Sequence, residues 1–407
     1  MKLLTKNPLF RTISIARFFN FLGASIYNLV FIVFAGSLPN AKLTVGAANL
    51  ILLVPMIFTI FAGMKADATQ NKAKWLIRLG YLQAGLFLIV ALLTQQKSLL
   101  AFSVVCLINI ISDVISDYRG SLQMPILQKN IAQDDLMEAY SFTQFLSLLC
   151  SVAGQALGVY LLTISQQNFF LVASVNALAF FLSASLLHLH RKQLTHEPVQ
   201  IKTSKIPLKE QFASLYGQVQ LIFKDQGSGS FLQIIAIVLS INAIAGATIP
   251  IFNLSLLSHP FWNLSFGQSL LVLQVSSISG MVLASLTPND YFAKRSINEI
   301  CSWAAGLLLL MGLVNLVQLP QILTLTLSFS LSYLAGKINP KINSLLMSQL
   351  PADVLGQASG LLSLIFSISI PIGTLLFTGL AVWNLSICWL VYSLIGLLSL
   401  FLCFKNR

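Results

Sequence analysis

Three ionisable side chains stand in stretches that are otherwise apolar: Arg17, Asp113 and Asp117. An Arg at the centre of a bilayer costs at least ~2.5–3.5 kcal/mol on insertion scales, so something is expected to offset it. Asp113 is the strongest partner, either pairing with Arg17 or taking up and releasing a proton. It lies four residues deeper than Asp117, about 6 Å along a helix. The competing expectation is that Arg17 snorkels to the nearer face while Asp117 and Arg119 belong to the mouth of their segment.

Amides and hydroxyls recur around these charges at spacings of three, four and seven, which puts them on shared helix faces. Arg17, Asn20, Ala24, Tyr27 and Asn28 form one stripe, and Asn109, Asp113 and Asp117 a second. Gln144, Ser147, Ser151 and Gln155 form a third, and Ser363, Ser367 and Thr374 a fourth. Such stripes avoid lipid and line either a polar cavity or helix–helix contacts. Asn20, Tyr27, Asn28, Gln144, Gln155, Asn242 and Gln274 are the expected contacts for a small-molecule substrate. Lys337, beside Asn339 and Pro340, is expected to end its segment and snorkel. No nucleophile with a base, no phosphate-binding loop and no metal-ligand spacing is present, so neither enzyme chemistry nor a cofactor or metal is expected. The alternation His188, His190 puts the two imidazoles on different helix faces, and the five cysteines fall in apolar runs without paired spacing.

The elements that must hold these residues follow from composition. Of 407 residues, 56% are hydrophobic and 9% charged, against about 25% charged in a soluble domain. So few charges cannot cover a water-facing surface, and the chain is expected to be an all-α membrane protein. A span needs roughly 20 apolar residues. Twelve such windows occur, near 12–36, 45–64, 75–94, 99–119, 139–163, 168–189, 229–256, 266–287, 298–317, 321–340, 355–380 and 384–404. The net charge of +12 then reports topology rather than nucleic acid. Lys42 and Lys97 fall in loops on one side, Arg17 lies within the first span, and the remaining 21 Lys and Arg lie on the other side. By the positive-inside rule that side is cytoplasmic, with both termini. Between spans six and seven, Leu208, Phe212, Leu215, Val219 and Ile222 mark an amphipathic helix beside basic residues, suited to anionic membrane lipid. The expected division is 1–190, a six-helix bundle; 191–228, a linker; and 229–407, a second six-helix bundle.

The two halves carry a faint internal copy. Residues 127–158 align with 346–377 at an offset of 219, with six of 32 positions identical, among them Asp134/Asp353, Ala139/Ala358 and Gly154/Gly373. Each copy has a polar loop, an Asp, then an apolar helix with a Gly two-thirds along. Asp135 and Glu138 are placed to cap the fifth span.

The loop after the second span, Gly63-Met-Lys-Ala-Asp67-Ala-Thr-Gln-Asn-Lys72, resembles the signature of the major facilitator superfamily at Gly63, Asp67 and Lys72. Arg17-Phe-Phe-Asn20-Phe-Leu-Gly23 and Asp134-Asp135-Leu136-x-x-Ala139 resemble its macrolide-efflux and siderophore-exporter branch. Two positions depart from that pattern: Ala24 stands where an acid is usual, and Asn109 to Asp113 where drug/proton antiporters carry an Arg in span four. The resemblance implies two pseudo-symmetric six-helix halves and a substrate site between them. It also implies proton-coupled efflux of hydrophobic or amphipathic compounds from the cell membrane by a monomer. Asp67 is implied to gate, docking on the N-terminus of span eleven. An uptake permease for a small polar solute, or a transporter-derived partner that moves nothing, are the alternatives.

Overall fold

The computed structural model describes residues 3–132, 135–195, 231–287, 290–349 and 352–405, with side chains left out at 60, 64, 67, 136–138, 140–141, 231–236, 293, 339–349, 352–367 and 405. The twelve spans appear as α1 (Pro8–Gly36), α2 in two pieces (Ala41–Ile51 and Val54–Asp67), α3 (Lys72–Leu93), α4 (Leu99–Asn130), α5 (Leu136–Ile164) and α6 (Phe169–Leu189), then α7 (Phe231–Ser258), α8 (Phe266–Leu286), α9 (Ile297–Leu316), α10 (Gln321–Gln349), α11 (Ala352–Trp383) and α12 (Leu385–Lys405). Ten are long and apolar enough among the described residues to cross a membrane; α10 is not among them, and α11 contributes the shorter stretch Ile368–Trp383. The protein is a multi-pass membrane protein. The amphipathic segment 208–222 lies outside the described residues.

Helix ends follow local chemistry. Asn7 caps α1, accepting from the Phe10 N–H at 3.0 Å, and Pro8 fills the first turn, where no N–H is needed. Asn7 Nδ2 also donates to the Asn130 carbonyl at 2.9 Å, tying the start of α1 to the end of α4. Ser265 and Gln268 form a capping box on α8. Asp135, expected to cap α5, stands at its N-cap without a side-chain bond, its backbone already helical. An N-cap side chain needs extended backbone to reach back to the first amides. Span two breaks at Leu52 and Leu53, just before Pro55, whose ring nitrogen has no N–H to give the Ile51 carbonyl. Two helices overrun their windows: α4 continues eleven residues past Arg119, and α10 passes through Asn339 and Pro340.

The chain divides into two compact units, Met1–Lys202 and Thr203–Arg407. In the first, α1 packs on α5 and α6, α3 on α4 and α6, and α2 on α4. In the second, α7 packs on α11 and α12, α9 on α10 and α12, and α8 on α10. Each pairing in one unit is the other's, shifted by six helices. The aligned glycines hold equivalent crossings. A Cβ on Gly154 would stand 2.6 Å from Ser25 Cβ and 3.0 Å from the Leu22 carbonyl of α1, while one on Gly373 would run into the backbone of Ala243 on α7.

Candidate functional site

The polar centre of the first unit is built along one face of α4. Asn109, Ser112, Asp113, Ser116, Arg119 and Gln123 recur every three or four residues, so their side chains turn together toward α1, α3 and α6. Arg119 is 3% exposed. Its Nη1 donates to Asn20 Oδ1 at 2.7 Å and to Gln83 Oε1 at 2.6 Å. Nε reaches the Leu76 carbonyl at 3.3 Å and Nη2 the Ser183 hydroxyl at 3.5 Å. Gln83, fully buried on α3, passes the network back to α4, donating to the Ser112 carbonyl at 2.9 Å and the Ser116 hydroxyl at 2.8 Å. Gly80 leaves room for the guanidinium, since a Cβ there would lie 3.0 Å from Nη2. All four of these acceptors are neutral. The centre is thus a buried cation on α4 whose charge is dispersed over three other helices by a fork of donors that only Arg supplies.

Asp113 lies six residues before Arg119, about 9 Å along α4. It borders a cavity of about 10 Å³ whose wall also includes Tyr27, Asn109, Ser112, Ser116 and Asn176, with Leu52 from the break in α2. That is about the room one water takes. Tyr27 faces Asn109. Asn176 is completely buried, and neither polar atom of its amide has a hydrogen-bond partner among the described residues. Leaving a buried donor or acceptor unpaired costs roughly 1–3 kcal/mol, so two such atoms beside a carboxylate mark a position suited to a small polar species. Such a place can exchange a proton or hold a water next to Asp113.

The structure separates residues that spacing had grouped. Arg17, 7% exposed, donates to Gln123 Oε1 at 2.5 Å and Thr143 Oγ1 at 2.9 Å. It is therefore not the partner of Asp113: Gln123 stands ten residues further along α4, about 15 Å away. Nor does Arg17 snorkel, because the amide and hydroxyl reach it inside the bundle. Asp117 accepts from Thr59 at 2.6 Å, joining α4 to α2. Arg119, expected at a loop, is internal. Of the expected substrate contacts, Tyr27 is buried, Asn20 is taken by Arg119, and Asn28 and Gln144 are exposed. Gln155, Asn242 and Gln274 are half-buried, and Gln155 Nε2 reaches Ser151 at 3.5 Å. Ser363 and Ser367 lie outside the residues whose side chains are described.

At the Lys- and Arg-rich ends, each unit ties the loop after its second helix to its fourth. In the first, Thr69 bonds Tyr118 of α4 at 2.6 Å, and buried Lys72 donates to the Ala66 carbonyl at 2.5 Å. Gly63 is half-buried in α2; the side chain of Asp67, like Asp134, Glu138 and Asp353, lies outside the described residues. In the second, Lys337 of α10 pairs with Asp290 at 3.3 Å and bonds Thr287, while Tyr333 donates to Asp290. Lys337 therefore does not snorkel. It is 6% exposed and held by a carboxylate.

A scan against protein-family models and a search of curated protein sequences return no match. Solved structures do. The nucleoside transporter NupG superposes with a TM-score of 0.69 at 13% identity, covering 98% of this chain and 99% of its own. A peptide transporter POT bound to sulfate gives 0.72 at 12% identity, covering 98% and 93%. The POT family transporter PepTSo gives 0.70 at 11% identity, covering 98% of each chain. At such identities the likeness carries the fold and nothing finer. The chain adopts the twelve-helix major facilitator fold over nearly its whole length.

Proposed function

We propose that the protein is a secondary active transporter of the cell membrane, with both termini cytoplasmic. It exports hydrophobic or amphipathic small molecules by alternating access of two six-helix halves, 1–190 and 229–407, and protons drive it through Asp113. The observation that carries this reading is the cavity beside Asp113: a carboxylate, an unpartnered buried amide and two serine hydroxyls around the space of one water, inside a fold otherwise met in transporters. The efflux assignment rests on the resemblance of residues 17–23 and 134–139 to the macrolide-efflux branch. The substrate contacts proposed are Tyr27, Asn28, Gln144, Gln155, Asn242 and Gln274, and the gating residues Gly63, Asp67 and Lys72.

A second reading, transport of a polar solute, is favoured by the likeness to nucleoside and peptide transporters. Vesicle flux separates the two. Under an imposed pH gradient, the first reading expects dye or macrolide movement; the second expects nucleoside or dipeptide movement. In either case Asp113→Asn is expected to abolish the gradient dependence. Flux unchanged in that variant would remove Asp113 from the mechanism.

A further inference from the structure

We infer that the ends of α3, α4 and α6 form a specific site for the phosphate of an anionic phospholipid. The three helix ends enclose a cleft of about 720 Å³. Its wall gathers Lys74 and Arg78 from the first two turns of α3, Lys129 from the last turn of α4, and His188 and Arg191 from the end of α6, and no carboxylate is among the described lining residues. Topology explains why basic residues lie on this side of the membrane, but not why four permanent cations from three helices converge on one concavity. Lys74, Arg78 and Arg191, held together, repel one another, and a phosphate between them relieves that repulsion.

The surroundings separate a lipid from a soluble phosphate. Lys74, Arg78 and Leu82 lie four residues apart on one face of α3, and Phe181 and His188 lie seven apart on α6. Leu82 and Phe181 are each about half exposed. Tyr81 bridges the helices, its ring 5.6 Å from Phe181 and 6.3 Å from His188. An apolar track therefore leads from the basic cleft into the depth of the bilayer, as acyl chains below a headgroup require. Trp75, 45% exposed beside Lys74, is the aromatic type that settles at headgroup level. A zwitterionic headgroup would bring its ammonium into the same cations, so a net-negative glycerophospholipid is the expected occupant. This inference stands apart from the transport reading.

The test uses the full-length protein, delipidated in detergent, and measures phosphatidylglycerol and phosphatidylcholine binding by native mass spectrometry. Phosphatidylglycerol is expected to bind in preference. Arg78→Gln with Arg191→Gln is expected to weaken it by about 30-fold, from roughly fivefold per basic residue. Lys42→Gln with Lys97→Gln, the same charge change at the other side, is expected to leave it within twofold. Arg78→Lys, which keeps the charge, retains binding and controls for folding. Equal losses in the two double variants, or no preference between the lipids, would overturn the site. If glycerol 3-phosphate or inorganic phosphate displaces the lipid at micromolar concentration, or Leu82→Ser with Phe181→Ser leaves lipid affinity unchanged, the occupant is a soluble phosphate and the lipid assignment falls.

Discussion

Adding one methyl group at three glycines tests the duplicated architecture, because the structure sets the same sign at two of them and the opposite sign at the third. A Cβ on Gly154 falls 2.6 Å from Ser25 Cβ, and 3.0 and 3.1 Å from the Leu22 carbonyl and the Ile26 nitrogen. Carbon atoms rest at about 3.5–4.0 Å, so α1 and α5 would have to part by nearly an ångström along a tightly packed seam. Backbone atoms cannot rotate out of the way. Overpacking of this kind costs about 1–3 kcal/mol, against a gain of up to ~1 kcal/mol in helix propensity when Gly becomes Ala. Gly154→Ala is therefore expected to destabilise by about 1–2 kcal/mol. Gly373→Ala, whose Cβ meets the backbone of Ala243 on α7, is expected to lose at least as much. Gly120 has open space where its Cβ would go, so Gly120→Ala is expected to be neutral or stabilising by up to ~1 kcal/mol. Equilibrium unfolding in mixed micelles, read by steric trapping or tryptophan fluorescence, resolves a spread of this size. If Gly154→Ala is as harmless as Gly120→Ala, the α1–α5 crossing is not as close as described. If only one of Gly154 and Gly373 is sensitive, the two crossings are not equivalent and the repeat loses its structural meaning.

Further expectations follow from the polar contacts. Arg119→Gln removes four donated bonds at ~0.6–1.7 kcal/mol apiece in a membrane setting, so a loss of about 2–7 kcal/mol is expected in the same assay. Arg119→Lys should recover only part of it, because an ammonium cannot serve four acceptors on different helices; full recovery would mean that charge alone matters. Lys337→Met removes the ammonium partner of Asp290 and is expected to cost about 1–3 kcal/mol, less than for a fully buried pair because the Asp290 side chain keeps 19% of its surface exposed. In the double variant with Asp290→Asn, most of that loss should return; strict additivity would contradict the pairing. Asp113→Asn, in contrast, is expected to leave stability nearly unchanged while removing gradient-driven flux.

Much of the fold was legible from the chain because membrane spans announce themselves by length and apolarity. The windows for spans one, three, six, eight, nine and twelve match helices to within a few residues. Gly154 and Gly373 were visible as a weak alignment, and their matched crossings give it physical content. The polar centre was less legible. Arg119 looked like the edge of a window because hydropathy averages over a segment and a charge at its end reads as a boundary. The signal that would have found it is the polar period running through it, Asn109, Ser112, Asp113, Ser116, Arg119 and Gln123, which breaks off only well past the window. Gln83 and Asn176 were overlooked for the opposite reason: each is a single amide in a highly apolar helix, with no neighbour to form a stripe. The Arg17 and Asp113 pairing failed because helical spacing orders residues on one helix but says nothing about the register between two. That register, set by how α1 slides against α4 and α5, brings Arg17 to Gln123 and Thr143 and leaves Asp113 beside Asn176.

The central claim, that this membrane protein moves small molecules using an ion gradient, is tested most directly by reconstituting the purified chain into liposomes with an imposed pH gradient. Internal pH and the movement of a hydrophobic cationic dye are followed together. The account predicts dye flux that requires the protein, collapses with a protonophore and is absent in Asp113→Asn. Flux indifferent to the gradient, or no movement of dye, macrolide, nucleoside or dipeptide in either direction by protein of verified fold, would contradict it.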